Sequence, residues 1–497
     1  MTPDPVLLIV FPLIAAFLTP LVSMVSKRLG RQVPLLGTFS MGVISLWLLL
    51  EFVDMDTTMG PITTTTGGFQ PPWGISLVVT PLTALVATGM IGVALYVLIT
   101  SIQKKEQDSG PWFELFVMMA AAGAVGMVIT GDLFNMFVFL EITSISGTVL
   151  AALPRGDPEK GLNWKGAVGY AVISALASFL ILGGIALLYG STSTLNLSQM
   201  AERTGDIDSF TAGAALLLML IGFGVEAEIF PLNGWAPEVY RGSRWGSSSV
   251  FSGIIGKAGL IALVKVVTMV LAPALDGAFV MDILLWGGVI TFVVGEAAAF
   301  TSRDLYRLLG FSSIGMFGLI LAAFSLGGRA GIWAAVLILI GHMISKPVLF
   351  SLSGALHNKD RDAPLSTLDG LLSRSKGAGF LFIGAALMLL GMPPSPIFWG
   401  KYFLFTGAGG EENWLLVAII IMGTLLEAGY IGKILWRVMQ RTPGRRTVRL
   451  PITTVIMAFA AITIGLVIGL IPGIIEDLLW MVYTNFEKLV YLPWGVI

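Results

Sequence analysis

Gly222-Phe223-Gly224-Val225-Glu226-Ala227-Glu228-Ile229-Phe230-Pro231-Leu232-Asn233-Gly234-Trp235-Ala236-Pro237 is the stretch on which the fold turns. An apolar run from Phe210 leads into it, and two carboxylates, a proline and a Gly-Trp pair then follow at what should be mid-membrane depth. Proline removes a backbone donor and clashes with the preceding turn, so a helix is expected to break or kink here. In hydrocarbon such a break survives only where the freed backbone groups face protein or a wet cavity. Carboxylates in a membrane segment are costly and point to function. The plainer alternative is a proline kink whose glutamates reach the membrane surface.

A second stretch matches the first. Leu390-Gly391-Met392-Pro393-Pro394-Ser395-Pro396-Ile397-Phe398-Trp399-Gly400-Lys401-Tyr402 is again apolar, broken by Pro393, Pro394 and Pro396, and followed by a charge. Interrupted segments at corresponding places of two halves are a sequence signature of transporters built from inverted repeats. The separation of Pro231 from Pro394 allows a repeat unit of about five helices.

The rest of the chain agrees with a membrane setting. Of its 497 residues, 56% are hydrophobic and only 12% charged, a balance outside the range of soluble globular domains. The net charge of −1 and the lack of a basic patch interleaved with aromatics give no sign of nucleic-acid binding. With no cysteine there is no thiolate for an iron–sulfur cluster, and two histidines are too few for a paired-haem cytochrome. No cofactor is therefore expected on this chain. P-loop, dinucleotide, zinc-helix and nucleophile-elbow motifs are absent. The first apolar helix lacks a basic leader and a small-residue cleavage site, and is expected to be retained.

Apolar segments of spanning length fall near 5–26, 34–53, 76–101, 112–131, 133–153, 165–189, 210–230, 247–272, 280–300, 304–326, 330–356, 376–406, 413–436 and 451–472. These predict an all-α polytopic membrane protein of about fourteen transmembrane helices. If the N-terminus is outside, the cytoplasmic loops collect Lys27, Arg28, Arg31, Lys104, Lys105, Arg155, Lys160, Lys165, Arg241, Arg244, Arg303, Arg307, Lys359, Arg361, Arg374, Lys376 and the run from Lys433 to Arg449. The opposite side holds Arg203, Arg329 and Lys488 among acids such as Asp54, Asp56, Glu202, Asp206, Asp208, Glu411 and Glu412. The positive-inside rule thus places both termini outside. The 54–75 loop reads as an external turn without chemistry. The tail, with Trp480, Tyr483, Phe486, Tyr491 and Trp494, reads as an interfacial helix, a cap or a packing surface for a neighbouring subunit.

Several ionisable residues lie inside these spans: Glu141, Lys257, Lys265, His342, Lys346, Lys401 and Glu427, besides Glu226 and Glu228. Each alone reads as a structural ion pair or a snorkelling side chain. Together they place acids and bases at mid-depth on several helices, which suits proton transfer. His342 and Lys346 are four apart and share a helix face. Lys265, two turns beyond Lys257, could instead snorkel. Glu228, two positions from Glu226, should point to another face and meet another helix.

These residues resemble the antiporter-like subunits shared by respiratory complex I, membrane-bound hydrogenases and Mrp sodium/proton antiporters, most of all the Mrp D-type subunit and its hydrogenase counterpart. The resemblance covers nearly the whole chain. It rests on Gly131-Asp132-Leu133-Phe134 through Glu141; Gly222-Phe223-Gly224 through Pro231-Leu232 and Trp235; Lys257 with Gly259; Arg307-Leu308-Leu309 with Ser312-Ser313-Ile314; His342 with Lys346; and Gly391-Met392-Pro393-Pro394 with Gly400-Lys401. It implies two inverted five-helix repeats, at residues 112–272 (helices 4–8) and 280–438 (helices 9–13), with helices 7 and 12 broken. Residues 1–111 (helices 1–3) and 451–497 (helix 14 and the interfacial segment) flank them. It also implies a proton path through Glu141, Lys257, His342 with Lys346, and Lys401, in a prokaryotic cell membrane. Implied partners are other membrane subunits of the same complex, further antiporter-like subunits among them, with protons and possible sodium as cargo.

One departure stands out. The family's seventh-helix lysine falls on Glu226, and the histidine usual after Pro-Leu falls on Asn233. Two carboxylates cannot both ionise cheaply in a poorly solvated site. Glu141 and Glu226 are expected to share a proton and relay it, to hold a cation such as sodium, or to mark an altered half-channel. Two other functions compete with translocation: a scaffold that anchors a peripheral enzyme, and an independent solute carrier, which would show a roomy substrate pocket between the repeats.

Overall fold

The computed structural model describes residues 2–54, 60–101, 111–153, 161–356, 363–441, 447–471 and 473–491. Asp56, Lys104, Lys105, Arg155, Lys160, Lys359, Arg361 and Trp494, which entered the orientation and tail readings, lie outside the described residues, as do the side chains of Asp54, Lys488 and Tyr491.

The long apolar runs form helices. In chain order these are α1 (Leu7–Val25), α2 (Gln32–Asp54), α3 (Pro81–Ser101), α4 (Trp112–Ile129), α5 (Leu133–Ala152), α6 (Trp164–Thr192), α7 (Ser209–Glu226) and α8 (Trp245–Ala274). They continue with α9 (Gly277–Thr301), α10 (Leu305–Leu326), α11 (Gly328–Leu356), α12 (Lys376–Leu390), α13 (Pro396–Gly410), α14 (Trp414–Met439), α15 (Ile452–Leu470) and α16 (Gly473–Tyr491). Among the described residues, 13 helices are long and apolar enough to cross a membrane, and α12 is a shorter apolar helix. The chain is a polytopic helical membrane protein. A small antiparallel hairpin pairs β1 (Ile62–Thr65), in the loop expected to be a plain turn, with β2 (Ser76–Val79), which takes the first residues of the span expected at 76–101. Its threonines and valines are residues that favour strands.

Burial sorts the helices. α4, α8, α10 and α11 are buried along nearly their whole length, whereas only about a fifth of α1 and of α15 is fully buried. A helix that is apolar all round belongs inside a bundle or in lipid, and the charges Lys257, His342 and Lys346 lie on two of the innermost helices. α8 also carries two π-helical turns, Phe251–Ile255 and Val267–Leu271, a distortion that recurs at functional sites. α16 lies against α11, α3 and α2, with Phe486 paired to Phe324 at 5.8 Å between ring centres. Of the readings of the tail, a cap on the bundle describes this packing.

Both predicted breaks are present and end in the same way. α7 stops at Glu226; Glu228 N–H donates to the Val225 carbonyl at 3.2 Å and Ile229 N–H to the Gly224 carbonyl at 2.8 Å. α12 stops at Leu390; Gly391 N–H donates to the Met388 carbonyl at 3.1 Å and Met392 N–H to the Leu387 carbonyl at 3.0 Å. This pair of bonds defines the Schellman cap, which needs a left-handed residue just past the helix. Gly391 takes that place with φ 80°, and Glu228 takes it in the first break with φ 58°. Prolines 231, 393 and 394 then prevent the helix from resuming. Pro396 differs from the others: it opens α13 behind an N-cap in which Phe398 N–H donates to Ser395 Oγ at 3.1 Å.

Candidate functional site

Two of the innermost helices, α8 and α11, meet through a pair of bases. Lys257 Nζ on α8 lies 2.8 Å from His342 Nδ1 on α11 and donates to the Ser252 carbonyl at 2.7 Å. The Phe317 ring covers the ammonium, 4.5 Å from its centroid, a favourable placement for a cation. Lys257 and His342 are fully buried, and His342 Nε2 has no hydrogen-bond partner among the described residues. One turn along α11, Lys346 Nζ donates to the Leu309 carbonyl at 2.7 Å. Ser313 donates to the same carbonyl at 3.0 Å and meets Ser252 at 2.9 Å. Ser313 thus ties α10 to α8 and the Leu309 carbonyl ties α10 to α11, while Ser312 accepts from Tyr430 of α14 at 2.9 Å.

At one end of this web, Glu228 accepts from the Tyr240 hydroxyl at 2.8 Å through Oε1, and its Oε2 has no hydrogen-bond partner among the described residues. The charges of Lys257 and Lys346 act on it. At the other end, Lys401 on α13 pairs with Glu427 on α14, and Lys401 also donates to the Leu390 carbonyl at 3.1 Å. Gly400, beside Lys401, lets α13 lie close against α11: a Cβ there would lie 2.6 Å from Ile338.

Glu226 sits apart from that file. Ser144 donates to its Oε1 at 3.1 Å, Ser174 to Oε1 at 2.7 Å and Tyr170 to Oε2 at 2.9 Å. Glu226 is thus held in a hydroxyl cage to which Ser144, three residues beyond Glu141, contributes, and the charge of Glu141 acts on it, as expected of the pair. Glu141 is partly exposed, and its Oε1 has no hydrogen-bond partner among the described residues. Glu228 meets Tyr240 of the short helix Ala236–Gly242, but from a left-handed position past the end of α7 and not from a second face of that helix. Lys265 is separate: it donates to the carbonyls of Val128 at 3.2 Å and Thr130 at 2.5 Å, where a cation complements the C-terminal end of α4.

Four buried groups escaped the sequence reading: Tyr170, Tyr240, Tyr430 and Glu296. The tyrosines carry no sequence signal: Tyr170 and Tyr430 lie in apolar runs and Tyr240 in a polar connection between Glu238 and Arg241. Glu296 does, since a carboxylate within Phe292–Phe300 meets the criterion that singled out Glu141.

The class these features define is a polytopic helical membrane protein with acids and bases gathered along its middle. A model of the transmembrane family "NADH:quinone oxidoreductase/Mrp antiporter" matches residues 130–427, and the chain belongs to that family. It is 28% identical to NADH-quinone oxidoreductase subunit N of Desulforudis audaxviator over 439 residues, 87% of this chain and 85% of that one. It is likewise 28% identical to the D-type Na(+)/H(+) antiporter protein of Bacillus subtilis, over 85% of this chain and 84% of that one. Among solved structures, a chain of the membrane-bound sulfane sulfur reductase, an archaeal respiratory membrane complex, superposes with TM-score 0.89 at 28% identity, covering 98% of both chains. A chain of the Mrp complex from Dietzia shares the fold, with TM-score 0.86 at 20% identity, 99% of this chain and 98% of that one.

Proposed function

We propose that this chain is a proton-translocating subunit of a multisubunit membrane complex, and that protons pass along Glu228, Lys257, His342, Lys346, Lys401 and Glu427. The observation that carries this reading is the 2.8 Å contact between Lys257 and His342. It joins α8 to α11, one base from each half of the chain. Lysine and histidine in such contact can exchange a proton with little motion, each serving as donor or acceptor according to its protonation. Shifting one charge along the row changes the protonation of its neighbour, which supplies electrostatic coupling.

The halves are residues 112–272 and 280–438, read as inverted repeats with the interruptions after α7 and α12 at matching places. α12 and α13 then count as one interrupted crossing, which brings the spans to about fourteen. Partner subunits supply the driving force, from redox chemistry or from counter-movement of sodium, and this chain carries no redox cofactor of its own. Glu141 and the caged Glu226 form the entry to the first half.

The test is ion flux in vesicles holding the assembled complex. Replacing Lys257 with Ala is expected to cut flux by about 10²-fold, the usual worth of a positioned proton-transfer group. Unchanged flux in an assembled complex would leave the scaffold reading in place of this one.

A further inference from the structure

Glu296 is a buried acid that the path above leaves unused. It lies on α9, packed between α10 and α14, and is fully buried. Neither of its carboxylate oxygens has a hydrogen-bond partner among the described residues. A Cβ on Gly315 of α10 would collide with Glu296 Oε1, so glycine at that position is what leaves room for the carboxylate. The charges that reach it are Lys346 from α11, Lys401 from α13 and Glu427 from α14, with the Tyr430 hydroxyl also facing it. Glu427 Oε1 is likewise without a hydrogen-bond partner among the described residues.

Charge counting narrows the states of this cluster. Lys401 and Glu427 neutralise each other through their direct contact. Lys346 and Glu296 are left over, one base and one acid. A buried ion without a partner is expensive; an ionised Glu296 therefore needs the Lys346 ammonium, while Lys346 can also be balanced by Glu228, and the position of one proton decides whether Glu296 is charged. We infer that Glu296 is a proton-exchanging carboxylate of the second half, taking its proton from Lys346 and passing it to the Lys401–Glu427 pair. In the first step the Lys346 ammonium loses an N–H bond and an O–H bond forms on Glu296, leaving both neutral. In the second, that O–H bond breaks as one forms on Glu427 Oε1, which leaves Glu296 ionised and ready for the next proton. The inference rests on the relay reading above and adds α9 to the helices that carry it.

The experiment compares Glu296→Gln, Glu296→Asp and Lys401→Ala in the assembled complex, reconstituted in vesicles for flux and followed by infrared spectroscopy of the carboxylic-acid C=O stretch. Glu296→Gln is expected to lower flux about 10²-fold and to remove one acid band, while Glu296→Asp keeps a shifted band and recovers part of the flux. Full flux in Glu296→Gln with loss in Lys401→Ala overturns the role of Glu296 and leaves the relay standing. Full flux in both overturns the relay, and this inference with it. If the glutamine variant does not assemble, the aspartate variant decides: wild-type flux with an unmoved acid band refutes the proposal.

Discussion

Glu228 occupies a backbone position that suits glycine, and the second break shows what glycine does there. Gly391 closes its Schellman cap at φ 80° without a side chain, whereas Glu228 closes the equivalent cap at φ 58° with one. A left-handed conformation costs a non-glycine residue about 1–2 kcal/mol, and such strain persists where the site requires the side chain. Glu228→Gly should therefore relieve the cap, lose one hydrogen bond from Tyr240 worth about 1 kcal/mol, and leave the melting temperature nearly unchanged. Flux should nevertheless fall by about 10²-fold. A variant that keeps its flux, or that melts many degrees lower, contradicts this account. Glu226→Gln should behave differently: its amide cannot accept from all three hydroxyls, and stability should drop by about 1–3 kcal/mol in thermal unfolding. At this scale the sequence disclosed which residues were unusual, because a charge in an apolar run is visible without coordinates. It did not disclose their partners. Lys257 and His342 are 85 positions apart, and only the packing of α8 on α11 makes them a pair.

The breaks were legible as elements because proline and glycine act through the backbone, wherever the segment packs. The hairpin at 62–79 and the π-helical turns of α8 were not, since four-residue strands and single wide turns follow from tertiary context. The contact of α9 with α10 lies between these cases. Gly288, Gly295, Gly315 and Gly318 bring the two backbones together: a Cβ on Gly318 would lie 2.5 Å from the Gly288 carbonyl oxygen and from the Phe292 nitrogen. Small residues at such an interface permit close helix approach in membranes. Gly318→Val should force the helices apart, cost about 1–3 kcal/mol and displace Glu296 one turn away. Gly287→Val is the control, because a Cβ there meets nothing within 4 Å. Thermal unfolding in detergent should show a lower midpoint for the first and an unchanged one for the second; equal midpoints would mean that the contact is looser than the structure shows.

For the whole molecule the decisive quantity is the parity of the crossings, which sets the side of the membrane for every loop. On the expected topology most basic residues fall on one set of loops, and this sorting holds only if α12 and α13 count together as one crossing. If each spanned the bilayer separately, everything after them would reverse, and the basic run ending at Arg449 would face outward against the positive-inside rule. The two helices are 15 residues each, about 22 Å at the usual rise per residue and so short of a roughly 30 Å core on their own. The chain contains no cysteine, so single cysteines can report sidedness without a background. Thr63→Cys, on β1, should react with an impermeant thiol reagent from outside intact cells. Arg441→Cys, just after α14, should react only in inverted vesicles. Labelling of both from the same side would break the interrupted-crossing reading, and with it the pairing of the α7 and α12 breaks as images of each other in opposite halves of the membrane.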